Sequence, residues 1–329
     1  MESLSPQQEA SIHHHYGLKV TTAVPIGTGA MSSTMMLNTD QGKLFLKRYK
    51  PASDLDFSPS MHIPRIAFTH SVQSYLRKLD FPIPRLLRNR DGDTLTVEGS
   101  GSYAIFEFVE GHGYNVAQPI GTLHSAGETL GRIHRESRGF QPTLRFKWVP
   151  MHDEVFNLLR VRLERIRITA SETDGYPVSR NRIDEWMGEM ERLAAELSVP
   201  DEGDWIIHGD YRAQNLKFDA EGRVKSLLDF DSARPTNRAY DLAYALVFFP
   251  AVYQDTPLTS RQKSIFLEAY EAVCPLTKEE RSALPAHLRL AYLRGMTLWL
   301  HLHDLGGMRE RVRPWIEGFL SGADPLTQL

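Results

Sequence analysis

The segment Trp205 to Phe218, WIIHGDYRAQNLKF, decides how this 329-residue chain is read. A short apolar run, predicted as a strand, delivers His208. Asp210 follows two residues later in a polar loop, and Asn215 five residues after that. Further on, Asp229 closes the apolar run VKSLL. A lone loop aspartate would read as a solvated carboxylate, but the ordered set has a chemical meaning. One carboxylate can orient a hydroxyl and accept its proton. An amide oxygen and a second carboxylate suit a hard cation such as magnesium. Phosphoryl transfer is catalysed mainly by positioning and charge neutralisation, so these three residues with one lysine cover most of the work.

Outward from that segment the chain divides by pattern. Residues 5–15 read as a short helix. KVTTAVPIG, MSSTMMLNT and KLFLKRYK read as strands, the last two joined by a turn at Asp40-Gln41-Gly42. Residues 60–79 carry helical spacing, and strands are predicted near 94–98 and 102–109. Beyond Gly111 helical patterns dominate, at about 122–136, 151–168, 180–197, 259–273, 286–304 and 308–321. The apolar stretch Leu242–Val252 reads as a buried helix, and only 205–230 reads as short strands and turns. Strands followed by helices indicate an α+β chain with a β-rich N-terminal lobe, 1–110, and a mainly helical C-terminal lobe, 111–329.

Composition sets bounds. Hydrophobic residues make up 41% of the chain, enough for a sizeable core, and the formal net charge of −3 argues against nucleic-acid binding. A single cysteine, Cys274, excludes an intramolecular disulfide and fits a reducing, cytoplasmic location. No signal pattern and no membrane-length apolar run is found. The residues do not fix an oligomeric state.

HGDYRAQN, LLDFD and YDLA, in that order and spacing, resemble the aminoglycoside phosphotransferase/choline kinase superfamily, small-molecule relatives of the protein kinases. LGRIH (Leu130 to His134) matches the helix that precedes the catalytic loop there. The resemblance implies a bilobal, protein-kinase-like fold and transfer of a γ-phosphoryl group from ATP, with Mg2+, to a hydroxyl of a small molecule. It implies Asp210 as catalytic base, Asn215 and Asp229 as magnesium ligands, and His208 and Asp241 as supports of the loop. Asp231, where protein kinases carry glycine, reads as a solvated or capping carboxylate, with metal assistance the lesser alternative. Only eleven residues lie between Asp229 and Asp241, which leaves no room for the long activation loop of a protein kinase.

In the first lobe, Gly27 and Gly29 stand at a turn where backbone N–H groups can approach phosphates, with Ser32 nearby. Lys47, on the third strand behind Leu44 and Leu46, matches the superfamily's phosphate-binding lysine, with Lys43, Arg48 and Lys50 as competitors. The usual glutamate partner of that lysine is missing from RIAFTHSVQSYLRKL, so either His70 or Gln73 stands in for it or the lysine is held differently. Glu107, Phe108 and Val109 resemble the linker whose backbone pairs with adenine. For the substrate, Arg289, Arg294, Trp299 and Asp304 are candidates, with core packing the competing reading for the aromatic position. PLTKEERSALPAHLRLAYLRGMTLWL is similar to the C-terminal helices of bacterial type II homoserine kinases, and the opening resembles that branch and the spore-coat kinase-like proteins. The Glu-Asn-Thr-Asn stretch of homoserine kinases is replaced by Ala30-Met31-Ser32-Ser33, which leaves homoserine or another amino alcohol, a sugar and an aminoglycoside all open. Arg160, Arg162, Arg165 and Arg167 read as a solvated basic stripe. The alternative to an enzyme is a non-catalytic kinase-like binding or structural protein.

Overall fold

The computed structural model describes residues 4–28, 32–50, 63–99, 101–114, 119–141, 151–197, 205–249, 258–304 and 317. They form two compact units. One gathers the residues up to Gly111 with the segment Ser226–Ser232, and the other gathers most of the remainder.

The first unit opens with helix α1 (Pro6–Tyr16). Ser5 caps it by accepting from the Gln8 N–H while Gln8 returns a bond to the Ser5 N–H, and Gly17 ends it at φ +70°. Strands β1 (Val20–Thr28), β2 (Ser32–Thr39) and β3 (Gly42–Tyr49) follow, then helix α2 (Ile63–Lys78), β4 (Thr96–Glu98) and β5 (Gly101–Glu107). They make one antiparallel sheet in the order β1-β2-β3-β5-β4. The expected hairpin is present, and Gly42 takes the positive φ of +103° that its turn requires. Strand alternation then sorts the side chains. Met35, Leu37, Leu44, Leu46 and Ile105 face one way and pack with Leu4 and Ile12 around α1. Tyr49, Ala104 and Phe106 face the other way and pack with Ile66 of α2. Lys47 shares that second face, opposite Ala104 in the register, so period two alone sends its amine to the α2 side of the sheet.

The second unit is mainly helical: α3 (Pro119–Ser137), α4 (Met151–Glu172), α5 (Arg180–Glu196), α6 (Arg238–Phe248), α7 (Ser260–Val273) and α8 (Lys278–Asp304). Between α5 and α6 lie β6 (Trp205–Ile207), a single 3-10 turn at Ala213–Asn215, β7 (Leu216–Phe218), β8 (Val224–Leu227) and β9 (Arg234–Thr236). Helices α3 and α7 approach closely because Gly127 and Gly131 offer no side chain there. A Cβ on Gly127 would stand 2.3 Å from the Phe266 carbonyl oxygen. Every residue of α6 is buried, as its apolar sequence implies, and the Asn237 side chain caps it through the Ala239 N–H. The helix expected at 308–321 lies outside the described residues, apart from Glu317. The basic stripe on α4 is corrected: Arg160 and Arg165 are exposed, but Arg162 is buried on the inner face, where burial and then the charge of Arg294 lower its pKa to about 9.

Candidate active site

Chemistry-bearing residues collect at one place in each unit. In the second unit it is the loop after β6. Asp241, in the first turn of α6, is fully buried and accepts the N–H groups of His208 at 2.8 Å and Gly209 at 2.9 Å. His134 of α3 adds a bond from Nε2 at 3.1 Å, while its Nδ1 pairs with the Tyr270 hydroxyl at 2.8 Å. Burial pushes the Asp241 carboxyl up, but His134 and the His208 N–H outweigh it, and the net shift is downward. An ionised carboxylate therefore pins the loop backbone. His208, wholly buried, faces the Asp210 N–H with Nδ1 at 3.3 Å.

Asp210 then projects from a braced loop. Its Oδ1 accepts from the Tyr244 hydroxyl at 2.8 Å and forms an ion pair with Arg212 Nε at 2.7 Å. Its Oδ2 accepts from Arg212 Nη2 at 2.8 Å and from Asn215 Nδ2 at 2.9 Å. Asn215 Nδ2 also donates to the Asp210 carbonyl, so its nitrogen is committed and its Oδ1 is the atom left for a cation. Burial, then the Asp210 charge, raises the Tyr244 pKa, which keeps that hydroxyl a donor. Arg294 of α8 donates to the Tyr240 hydroxyl and lies over the rings of Tyr240 and Tyr244, 5.8 and 5.4 Å from their centroids. Burial pulls its pKa down, but the two tyrosines and Asp210 pull it up by more.

In the first unit the centre is Lys47. Its amine is nearly buried and bonds Asp229 Oδ1 at 2.8 Å and Asp231 Oδ1 at 2.7 Å. This decides one expectation and corrects another. Neither His70 nor Gln73 stands in for the missing glutamate. His70 spends its ring nitrogens on the Tyr49 hydroxyl and Thr94 Oγ1, at 2.9 and 3.0 Å, and burial followed by Lys47 lowers its pKa to about 3. Gln73 donates to the Thr69 carbonyl. Asp231 is no solvated carboxylate either. It is 6% exposed, and burial raises its pKa to about 6 against the pull of Lys47. Asp229 differs: its side chain is 45% exposed, and its backbone takes φ +59°, a region that aspartate tolerates better than most residues. Taken separately, the exposed Asp229 carboxylate and, in the other unit, the Asn215 amide oxygen are each hard donors of the kind that suits magnesium. Among the described residues no cluster of three or more His, Cys, Asp or Glu side chains could hold a metal alone.

The other candidates are scattered. Gly27 lies in β1, where its carbonyl accepts from Thr34 Oγ1, and Ser32 is buried at the start of β2. Gly29 lies outside the described residues. Glu107 ends β5 with its N–H donated to the Arg85 carbonyl, and Phe108 and Val109 follow outside any strand. Of the four substrate candidates on α8, only Arg294 reaches the Asp210 cluster. Arg289 pairs with Glu196 at 2.7 Å and Glu189 at 3.5 Å, and so ties α8 to α5. Asp304 accepts from Thr169 on α4, and Trp299 packs edge-on against Phe248. Sequence reasoning missed Arg212 and Tyr244. Arg212 stood two residues from Asp210, and Tyr244 one helical turn after Tyr240, so spacing alone could have flagged both.

A lysine held by carboxylates on an antiparallel sheet, and an aspartate on a braced loop in a helical unit, define a small-molecule kinase of the protein-kinase-like, bilobal type. The sequence model of the phosphotransferase enzyme family (APH) matches residues 22–276, and the chain belongs to that family. A homoserine kinase of Phenylobacterium zucineum (strain HLK1) is 29% identical over 286 residues, 84% of this chain and 78% of that protein. A homoserine kinase of Methylobacillus flagellatus is 25% identical over 283 residues, covering 85% and 79%. Among solved structures, the amicoumacin kinase hAmiN, in complex with AMP-PNP, Ca2+ and Ami, superposes with a TM-score of 0.71 at 16% identity, covering 95% of this chain and 93% of that one. A microcompartment-associated aminopropanol kinase gives a TM-score of 0.69 at 17% identity, covering 94% and 96%. The chain is thus an enzyme that transfers a phosphoryl group from ATP to a hydroxyl of a small molecule. No helix among the described residues is long and apolar enough to cross a membrane.

Proposed function

We propose that this is a cytoplasmic, magnesium-dependent kinase of a small polar amino alcohol or hydroxy amino acid, with homoserine as the first compound to test. The observation that carries the reading is the Asp210 carboxylate, held by Tyr244 and Asn215 on a loop that Asp241 pins. Residues 1–110 serve as the nucleotide-binding lobe and 111–329 as the catalytic and substrate-binding lobe. Asp210 accepts the acceptor's hydroxyl proton as the oxygen attacks the γ-phosphorus. Lys47 neutralises phosphate charge, and Gly27, Gly29, Ser32 and the Glu107–Val109 backbone receive the nucleotide. Asn215 and Asp229 would hold the magnesium ion, which supplies charge neutralisation on the phosphates. Arg294 is the substrate candidate retained, because it lies beside Asp210. Arg289 and Asp304 are engaged with α5 and α4 and take a structural role, as does Trp299.

The test is ADP release with Mg2+, ATP and a panel of homoserine, amino alcohols, sugars and aminoglycosides. Acceptor-dependent release is expected for one class. Asp210→Asn should lower it by about a hundredfold or more, the ordinary worth of a general base, with MgATP affinity kept within twofold. Undiminished turnover in that variant would remove the base assignment.

A further inference from the structure

The Asp210 carboxylate is closely surrounded. A carboxylate offers about four lone-pair positions; here Tyr244, Asn215 and Arg212 Nη2 donate to it at 2.8–2.9 Å, and Arg212 Nε stands against Oδ1 as an ion pair at 2.7 Å. An incoming hydroxyl therefore meets the Arg212 guanidinium at the position left to it. The donors differ in freedom. Tyr244 is buried and stacked on Tyr240, and Asn215 is buried and tied to the Asp210 backbone. Arg212 is a long side chain, 27% exposed. It also has a second acceptor at hand: with its amide oxygen turned toward Arg212, Gln214 receives Nε at 3.1 Å and Nη1 at 3.0 Å.

We propose that Arg212 is a latch on Asp210, which withholds the carboxylate from water and releases it to the acceptor. The inference rests on the assignment of Asp210 as base. Water and acceptor face the same ion pair but bring different resources. The acceptor contributes binding energy from the rest of its structure and can spend it on displacing Arg212, whereas water has none to spend. In the wasteful reaction a water oxygen forms a bond to the γ-phosphorus. The bond from that phosphorus to the β–γ bridging oxygen breaks, ADP leaves, and the water's proton passes to Asp210. Productive transfer differs only in the attacking oxygen. Arg212 is therefore a positioning residue that sets the ratio of transfer to hydrolysis.

The experiment measures ADP release by the full chain with Mg2+ and ATP and no acceptor, comparing the parent with Arg212→Ala, Arg212→Lys and the double variant Arg212→Ala/Asp210→Asn. Loss of the one charge-assisted hydrogen bond, with its ion pair, predicts a rise of about tenfold in Arg212→Ala. A smaller rise is expected in Arg212→Lys, which keeps the charge without the fork, and a return to baseline in the double variant. A merely structural role for Arg212 would lower turnover, not raise it. Hydrolysis unchanged or reduced in both single variants overturns the latch, as does a rise that survives Asp210→Asn. Failure of the base assignment looks different: acceptor-dependent transfer in the parent would then persist in Asp210→Asn, whatever the Arg212 variants do, and failure of the kinase reading would leave the parent with no acceptor-dependent transfer.

Discussion

Replacing Asp241 by alanine removes the acceptor of three donors at once, the His208 and Gly209 N–H groups and His134 Nε2, at a site with no solvent exposure. Hydrogen bonds to a charged group contribute about 1.5–3 kcal/mol each, but all three donors share the one carboxylate, so the three are not additive. Breaking a buried pair by removing one member costs about 3–5 kcal/mol, and we take ~4 kcal/mol for Asp241→Ala. At roughly 2–4 °C per kcal/mol for a unit of this size, the melting temperature should fall by about 10 °C. Asp241→Asn keeps the volume and one oxygen, and should cost about half as much. The pH dependence is a sharper check. The folded Asp241 pKa lies below its ordinary value of 3.8. Its stabilisation is therefore full above that value and is lost as pH falls through the folded pKa. Melting curves of the parent and Asp241→Asn, followed to about pH 2, should keep their gap from pH 7 down to 3.8 and narrow below it. A gap of constant size to about pH 2, or a fall of under ~2 °C for Asp241→Ala, would refute the account of a charged brace.

Two further outcomes follow from single contacts. Asp231→Asn leaves Lys47 with Asp229 as its carboxylate partner, and the loss of one charge-assisted bond should raise the KM for ATP about tenfold; a KM within twofold of the parent would contradict it. Gly127→Ala drives a methyl group against the Phe266 carbonyl at the α3–α7 contact and should destabilise the protein by about 1–3 kcal/mol in urea unfolding, whereas a neutral result would mean the two helices separate freely.

The elements whose residues meet their partners nearby in sequence were legible. The β2–β3 hairpin follows from alternation and one glycine, and the buried α6 from its composition. The brace at Asp241 was readable because motif order carried it. Arg162 and Asp231 were misread for a common reason. Each is a charged residue whose neighbours in sequence suggest solvent, and each is buried by packing that a linear pattern does not encode. A helix face cannot be told from spacing when arginine recurs on both sides of it, at 160, 162, 165 and 167.

The missing glutamate shows where such reading stops. A lysine buried on a sheet must have an anion, since an unpaired buried ammonium would shed its proton instead. A substitute on α2 would require the partner's position to be fixed and only its identity to vary. Burial imposes no such condition. His70 is kept neutral beside Lys47, and α2 offers Arg65, another cation, to the same group through Asp231. The charge requirement at Lys47 is met from the segment after β8, where Asp229 and Asp231 both reach the amine and only Asp231 is buried. This gives the two carboxylates separable tasks. On the proposed function the exposed Asp229 would exchange lysine for a cation, while the buried Asp231, for which Lys47 is the largest opposite charge, keeps the amine in place. The residue that looked like a departure from the kinase pattern, an aspartate where glycine stands, thereby answers the other departure, a helix without its glutamate.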